Sequence, residues 1–187
     1  MANFISEIDK SWTLFLDRDG VINKRIFGGY VTSWEKHEFL PDVVEAITAF
    51  SELFKYVIVI TNQQGIGKGL MNIDQLNSIH ENMKKEISVN GGKIDAIYFC
   101  TDLADKPENC RKPHIWMAEK AKKDFPEIDF NKSIMIGDSA SDIMFGKNAG
   151  MKTILHKSDE NISINADLKV DSLVEFAEML RNIDNGN

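Results

Sequence analysis

Carboxylate side chains follow two apolar stretches of this sequence, in positions where they could bind a metal ion. Asp17 and Asp19 come directly after residues 12–16, and Asp138 follows residues 133–136. Because ligands of open parallel sheets bind beyond the carboxyl ends of the strands, we expect these three side chains to meet at one sheet edge. Carboxylates that close raise each other's pKa unless a cation joins them. Mg²⁺ prefers oxygen ligands and leaves room for waters and a phosphate, so the sequence predicts a magnesium site here.

A hydroxyl group and a positive charge are predicted at the same edge. Thr61 follows the β-branched run at residues 57–60, and Lys112 precedes Pro113, where a helix opens. Beside a metal ion, such groups can hold a phosphoryl group and neutralise the charge that develops during its transfer. Asp142 has two interpretations: a carboxylate in the first turn of a helix, where it interacts favourably with the helix dipole, or a member of the site.

Strand-like and helix-like stretches alternate along the chain, which is typical of a parallel sheet covered by helices on both faces. The predicted strands lie at residues 12–16, 57–60, 96–99, 133–136 and 153–155. The predicted helices begin after Pro41, at a capping box formed by Asn72 and Gln75, and after Pro113, and further helices cover residues 141–148 and about 173–180. This pattern predicts an α/β fold, a Rossmann-like three-layer sandwich with five or six mainly parallel strands. No repeat or linker interrupts it, so residues 1–187 are predicted to form a single domain.

Composition narrows the possible partners. With 43% hydrophobic residues the chain can bury a core, and 29 acidic against 22 basic side chains give a net charge of -7. This balance argues against nucleic-acid and anionic-membrane partners, which need clustered positive charge.

The first residues lack a signal-peptide pattern, so we expect a cytoplasmic protein, and a monomer. Cys100 and Cys110 are then predicted to be thiols or metal ligands. The four histidines share no ligand spacing, which favours surface or packing roles.

The ordered set of motifs resembles the haloacid-dehalogenase (HAD) superfamily of phosphohydrolases. The set consists of Asp17-x-Asp19-Gly20 after a strand, Thr61 after a strand, Lys112 before a helix, and Gly137-Asp138 with Asp142. The resemblance implies that Asp17 forms an aspartyl-phosphate and that Asp19 transfers protons as general acid and base. It further implies that Mg²⁺ is held by the Asp17 and Asp138 carboxylates and the Asp19 backbone carbonyl. Thr61 would bind the phosphoryl group, Lys112 would stabilise it, and Asp142 would support the lysine or the metal. The stretches between the motifs are too short for a cap domain, so an open site is expected.

Within that superfamily, several segments are similar to heptose 1,7-bisphosphate phosphatases, and histidinol-phosphate phosphatases are close relatives. These segments cover residues 15–23, 29–31, 61–69, 95–100 and 110–113. The similarity implies a small sugar-phosphate substrate, with Arg111 recognising a second phosphate or the sugar. The implied substrate contacts are Tyr30, Asn62, Gln63, Gln64 and Arg111. Alternatives are a histidinol-phosphate phosphatase, a nucleic-acid 3′-phosphatase and a non-catalytic sugar-phosphate-binding domain.

One loop departs from the pattern of these relatives. They usually carry a zinc loop with Cys-x-His, followed by Cys-x-Cys directly before Arg-Lys-Pro. The corresponding positions of this sequence are Cys100, Asp102, Glu108 and Cys110, so that the histidine and one cysteine are replaced by carboxylates. Because structural zinc sites prefer cysteine and histidine ligands, we expect this loop to be free of zinc.

Overall fold

Six parallel strands form one sheet in the computed structural model, which describes residues 3–157 and 162–184. Their bounds are β1 Thr13–Leu16, β2 Tyr56–Asn62, β3 Ala96–Cys100, β4 Ser133–Gly137, β5 Lys152–His156 and β6 Leu168–Val170. They lie in the order β3-β2-β1-β4-β5-β6, and each neighbouring pair is parallel. The predicted sheet is confirmed, and β6 is the strand that brings the number to six.

Helices cover both faces of this sheet. In the described residues they are α1 Val43–Leu53, α2 Gln64–Gly67, α3 Ile73–Val89, α4 Trp116–Asp124, α5 Ala140–Ala149 and α6 Leu173–Asp184. Leu14 and Leu16 of β1 join a core cluster with α1, α3 and α6, whereas Phe15 joins a second cluster with α4 and α5. Because successive side chains of a strand point to opposite faces, this division produces the predicted three layers.

The helix ends follow signals that are visible in the sequence. The Asn72 side chain accepts a hydrogen bond from the backbone N–H of Gln75, and the Gln75 side chain accepts one in return, which completes the predicted capping box at α3. Gly150, at φ 80°, ends α5 in the left-handed conformation that favours glycine. Phe54 lies just beyond the end of α1, where its side chain is still buried.

The strand order brings three loops together. β1 lies between β2 and β4. The chain therefore adds β2 and β3 on one side of β1 and then β4, β5 and β6 on its other side. The loops that follow β1, β2 and β4 are therefore neighbours at the switch point, which is the usual ligand site of such sheets. Between β1 and β2, the described helical segments are only the 3-10 turn Trp34–Lys36 and α1, so they form no cap. None of the helices in the described parts of the chain has the length and apolar run that a bilayer crossing requires.

Candidate active site

Lys112 joins the carboxylates of two different loops. Its Nζ atom lies 2.7 Å from Asp17 Oδ1 and 2.6 Å from Asp142 Oδ1, and it donates a hydrogen bond to the carbonyl oxygen of Ile60 at 2.9 Å. The side chain is only 2% exposed. Burial alone would lower the pKa of Lys112, but the two carboxylates more than compensate and raise it. Lys112 is therefore a fixed cation at the end of β1.

Three buried carboxylates surround this cation. Oxygen atoms of Asp17, Asp138 and Asp142 lie within 4.8 Å of one another. Burial raises the pKa of Asp17 to about 8, with a further contribution from the other two carboxylates and opposition from Lys112. Burial and Asp142 also raise the pKa of Asp138 to about 6, although Arg25 Nη1 lies 3.3 Å from Asp138 Oδ2. The negative charge is thus only partly balanced by the protein's own cations.

A divalent cation fits this arrangement. Asp17 and Asp138 supply the oxygen donors that Mg²⁺ prefers, and their raised pKa values show that a further positive charge would relieve their repulsion. Gly20 makes the approach of Asp138 possible, because a Cβ atom at position 20 would lie 2.0 Å from Asp138 Oδ2. Its φ of 100° also favours glycine.

Asp142 contacts both the start of α5 and Lys112. Its Oδ2 atom accepts hydrogen bonds from the backbone N–H and the hydroxyl group of Ser139, at 3.0 and 2.5 Å, and so caps the first turn of α5. Its Oδ1 atom pairs with Lys112. The start of the helix therefore fixes the carboxylate that holds the lysine.

Asp19 is held by donors from three residues. Arg18 Nη2 donates to both of its carboxylate oxygens, at 2.9 and 2.8 Å, while Asn23 Nδ2 and Gln63 Nε2 add hydrogen bonds of 2.9 and 2.8 Å. Burial favours the neutral form, but Arg18 and the two amides outweigh it, and the net pKa of Asp19 lies below its usual range. A quarter of the side chain, 24%, remains exposed toward the cavity described below.

Gln63, one of the predicted substrate contacts, does not line the cavity. It is 1% exposed, and its Nε2 atom donates to Asp19 and, at 2.9 Å, to the Thr61 hydroxyl oxygen. The physical reason is backbone pairing: the Gln63 N–H donates to the carbonyl oxygen of Cys100 at 2.7 Å and extends the contact between β2 and β3. This pairing turns the side chain inward, where it joins Asp19 to Thr61.

A cavity of about 710 Å³ opens above these groups. Its walls include the site residues Asp17, Asp19, Thr61, Lys112, Asp138 and Asp142 and the predicted contacts Tyr30, Asn62, Gln64 and Arg111. Asn62 also positions Lys112, because its Oδ1 atom accepts a hydrogen bond from the Lys112 backbone N–H at 3.0 Å. The structure thus assembles the predicted residues at one sheet edge, with Gln63 behind them.

Comparisons with known proteins agree with this geometry. Residues 109–175 match a family model described as HAD-hydrolase-like. A heptose-1,7-bisphosphate 7-phosphatase of Mycobacterium bovis is 35% identical over 170 residues, which cover 89% of this chain and 90% of that protein. One of Burkholderia mallei is 38% identical over 161 residues, with 82% and 84% covered. The chain belongs to the heptose bisphosphate phosphatase family of the HAD superfamily. It is a phosphatase.

A solved structure of this family has the same fold. The D,D-heptose 1,7-bisphosphate phosphatase from B. bronchiseptica, complexed with magnesium and phosphate, superposes with a TM-score of 0.83 at 27% identity. The match covers 91% of this phosphatase and 98% of that chain. The fold is therefore that of a solved heptose bisphosphate phosphatase structure.

The loop after β3 differs from the prediction of free thiols. Cys100 and Cys110 are joined by a disulfide, with Cα atoms 5.6 Å apart. The loop turns back on itself, because Asp102 Oδ2 accepts a hydrogen bond from the Cys110 N–H at 3.1 Å, and this brings the two sulfur atoms together. The donor atoms of both cysteines and Asp102 lie close enough for a metal. However, the sulfurs are bonded to each other, Lys106 occupies the other Asp102 oxygen and Glu108 is exposed, so the four residues do not fit a tetrahedral zinc site in this arrangement.

Two cations on the cavity wall were missed by the sequence analysis. Arg25 contacts Asp138, and its guanidinium carbon lies 5.6 Å from the centroid of the Phe27 ring. Lys68 Nζ lies 5.5 Å from the centroid of the Tyr30 ring. Both belong to glycine-containing segments beside the motifs, and a basic residue in such a segment is the signal that could have identified them.

The inward position of Gln63 leads to a testable difference from Gln64. Gln63→Leu should lower kcat about tenfold with little change in KM, because it removes the hydrogen bonds to Asp19 and Thr61 without altering the cavity wall. Gln64→Leu, which does alter the wall, should change KM more than kcat. Steady-state kinetics with one phosphomonoester measures both. A raised KM with unchanged kcat for Gln63→Leu would show that the Gln63 side chain contacts substrate.

Proposed function

We propose that this phosphatase removes the 7-phosphate of D-glycero-D-manno-heptose 1,7-bisphosphate with Mg²⁺ bound, and that residues 1–187 act as one domain. The observation that carries the proposal is the Asp17 carboxylate, which lies at the end of the central strand, paired with Lys112 on the wall of an open cavity. The names of the relatives supply the substrate. Both core clusters pack on one sheet, which supports a single domain.

Asp17 and Asp19 divide the chemistry between them. A carboxylate oxygen of Asp17 bonds to phosphorus while the bond from phosphorus to the ester oxygen breaks, and Asp19 gives that oxygen a proton. Water then attacks the aspartyl-phosphate, Asp19 takes a proton from the water, and the bond between phosphorus and Asp17 breaks to release phosphate. The lowered pKa of Asp19 keeps its carboxylate ionised near neutral pH, which is the form that can accept a proton from water. A phosphate dianion beside Asp19 favours the protonated form that the first step requires.

Thr61 and Lys112 bind the group being transferred. Gln63 donates to the Thr61 hydroxyl oxygen, so the hydroxyl hydrogen is available for a phosphoryl oxygen. Lys112 orients Asp17 and offsets negative charge in the transition state. The groups that would hold Mg²⁺ are the Asp17 and Asp138 carboxylates and the Asp19 backbone carbonyl; when bound, the ion polarises the phosphoryl oxygens.

A substrate panel tests the proposal. Phosphate release with Mg²⁺ is measured for both anomers of heptose 1,7-bisphosphate, histidinol phosphate, p-nitrophenyl phosphate and a 3′-phosphorylated oligonucleotide. We expect the highest kcat/KM for one heptose anomer, loss of activity in EDTA and recovery with added Mg²⁺. If kcat/KM were higher for histidinol phosphate or the oligonucleotide than for the heptose bisphosphate, that compound would be the preferred substrate instead. Tight binding of the bisphosphate without phosphate release would indicate a binding domain.

Arg111 provides a second test, because it lines the cavity next to Lys112 and is suited to a second phosphate. Arg111→Met should raise KM for the bisphosphate by about tenfold or more, the effect expected from loss of a charge-assisted hydrogen bond. KM for a sugar monophosphate should change much less. Arg181→Met, an exposed change on α6, is the matched control. Equal effects on the two substrates would show that Arg111 does not distinguish the second phosphate.

A further inference from the structure

A charged side chain is completely buried next to the proposed proton donor. Arg18 is 0% exposed, although it lies between Asp17 and Asp19 in the sequence, and it does not line the cavity. Its Nη2 atom donates to both oxygens of Asp19. A buried guanidinium is costly unless its donors are used, so the contacts on its other side also matter.

The other side of Arg18 contacts a histidine on a different element. His80, on α3, is 6% exposed, and its Nε2 atom lies 3.1 Å from Arg18 Nη1. Burial and the Arg18 charge lower the pKa of His80 to about 3, so the imidazole is neutral at physiological pH. An arginine can only donate, and His80 Nε2 is therefore the acceptor. The ring also packs against Phe99 of β3, with 5.7 Å between centroids.

The orientation of the guanidinium thus depends on two anchors. Arg18 Nη2 is fixed by Asp19 and Nη1 by His80, while Nε has no hydrogen-bond partner in the described part of the chain. Because the guanidinium is planar and rigid, the acceptor at Nη1 also sets the direction of Nη2. Without that acceptor, a buried donor is left unsatisfied and the group turns to find another partner. Asp19 would then lose its paired hydrogen bonds.

We propose that His80 is a positioning residue for proton transfer: acting through Arg18, it holds the Asp19 carboxylate in the direction of the leaving oxygen. The inference rests on the proposed function in one respect, because it takes Asp19 as the proton donor. His80 lies behind the site and is absent from the cavity wall, so it is not placed to contact a substrate directly.

The leaving group distinguishes this role from a merely structural one. An alkoxide needs a proton as it departs, whereas p-nitrophenolate leaves readily without one. A change that only loosens the fold lowers kcat/KM of both substrates alike. A change that misdirects Asp19 lowers kcat/KM of the sugar phosphate selectively, because kcat/KM reports the steps up to departure of the leaving group and not the later attack of water on the aspartyl-phosphate, which both substrates share.

The experiment compares two replacements of His80 that differ in one property. His80→Phe keeps the ring packing against Phe99 but removes the acceptor, and His80→Gln keeps an acceptor for Arg18. We expect His80→Phe to lower kcat/KM for the best sugar phosphate by about 10- to 100-fold, part of the usual contribution of general acid catalysis, and kcat/KM for p-nitrophenyl phosphate by less than about threefold. His80→Gln should recover most of the lost activity. Glu81→Gln, an exposed change on the same helix, should leave both rates unchanged.

Asp19→Asn and Arg18→Lys complete the test. If Asp19→Asn shows the selective loss and His80→Phe lowers both rates equally or neither, the inference is overturned and the proposed function stands. If Asp19→Asn itself lowers both rates equally, Asp19 is not the proton donor and the inference fails with that assignment. Should His80→Phe not fold, Arg18→Lys replaces it, because one ammonium group cannot pair with both Asp19 oxygens and His80. Arg18→Lys should then show the selective loss, and its absence would count against the inference.

Discussion

Asp17→Asn should reduce phosphate release by at least about 10³-fold, because it removes the nucleophile and leaves the shape of the side chain unchanged. The loss should appear in kcat for sugar and aryl phosphates alike, since both must react with the same carboxylate. Substrate binding should survive, because the cations on the cavity wall remain. Equilibrium binding of the unhydrolysed bisphosphate to the variant in Mg²⁺ would measure this directly.

The stability of the same variant is the control. Burial, with a contribution from the neighbouring carboxylates, opposes ionisation of Asp17 in the metal-free protein and raises its pKa, so an amide of the same shape should replace the carboxylate at little cost in stability. We expect the free energy of unfolding in EDTA to change by less than about 1 kcal/mol, within the range of substitutions that create no cavity or unpaired charge. Turnover above a few per cent of wild type in a folded Asp17→Asn variant would place the nucleophile elsewhere.

Lys112→Met should impair both activity and stability. The substitution keeps the length of the side chain but leaves the buried Asp17 and Asp142 carboxylates without their shared cation. Breaking a buried ion pair from one side costs about 3–5 kcal/mol, and loss of one transition-state donor costs about 10²–10³ in kcat. Urea unfolding in EDTA and steady-state kinetics with Mg²⁺ measure the two effects separately.

Lys120→Met is the matched control, because Lys120 pairs with Asp124 on the surface. It should change stability by less than about 1 kcal/mol and leave kcat unchanged. If Lys112→Met were as stable as Lys120→Met, the carboxylates beside Lys112 would not depend on its charge. Retained kcat would show that the phosphoryl group is stabilised by other residues.

Residues that follow a strand were the predictable part of the site. Asp17, Thr61 and Asp138 each follow an apolar run, and a parallel sheet brings such positions to the same edge whatever its details. The sequence could also place Lys112 there, because it precedes a helix in the same alternating pattern. These expectations needed only local pattern and one rule of topology.

The remaining contacts depend on pairings that no local pattern shows. Gln63 turns inward because its backbone bonds to Cys100 on another strand, and the pairing of Cys100 with Cys110 depends on how one loop folds back. A surface or packing role was expected for His80, and its ring does pack against Phe99, but it also contacts Arg18, 62 positions earlier in the chain. Histidine on a buried helix face gives no sign of its partner until the tertiary structure is known.

The position of β1 has a consequence for how the protein opens. Its four residues are buried and hydrogen-bonded to strands on both sides, so their amide hydrogens should exchange with solvent only when the whole sheet unfolds. The loop at residues 25–31, which lines the cavity and has exposed side chains, should exchange through small local openings. The strand that precedes the reactive carboxylate should therefore keep its structure when the loop that faces the substrate changes. Apart from Arg25, which contacts Asp138, substitutions in this loop can alter which phosphate ester is accepted without disturbing the chemistry, which makes the fold suited to the evolution of new specificities.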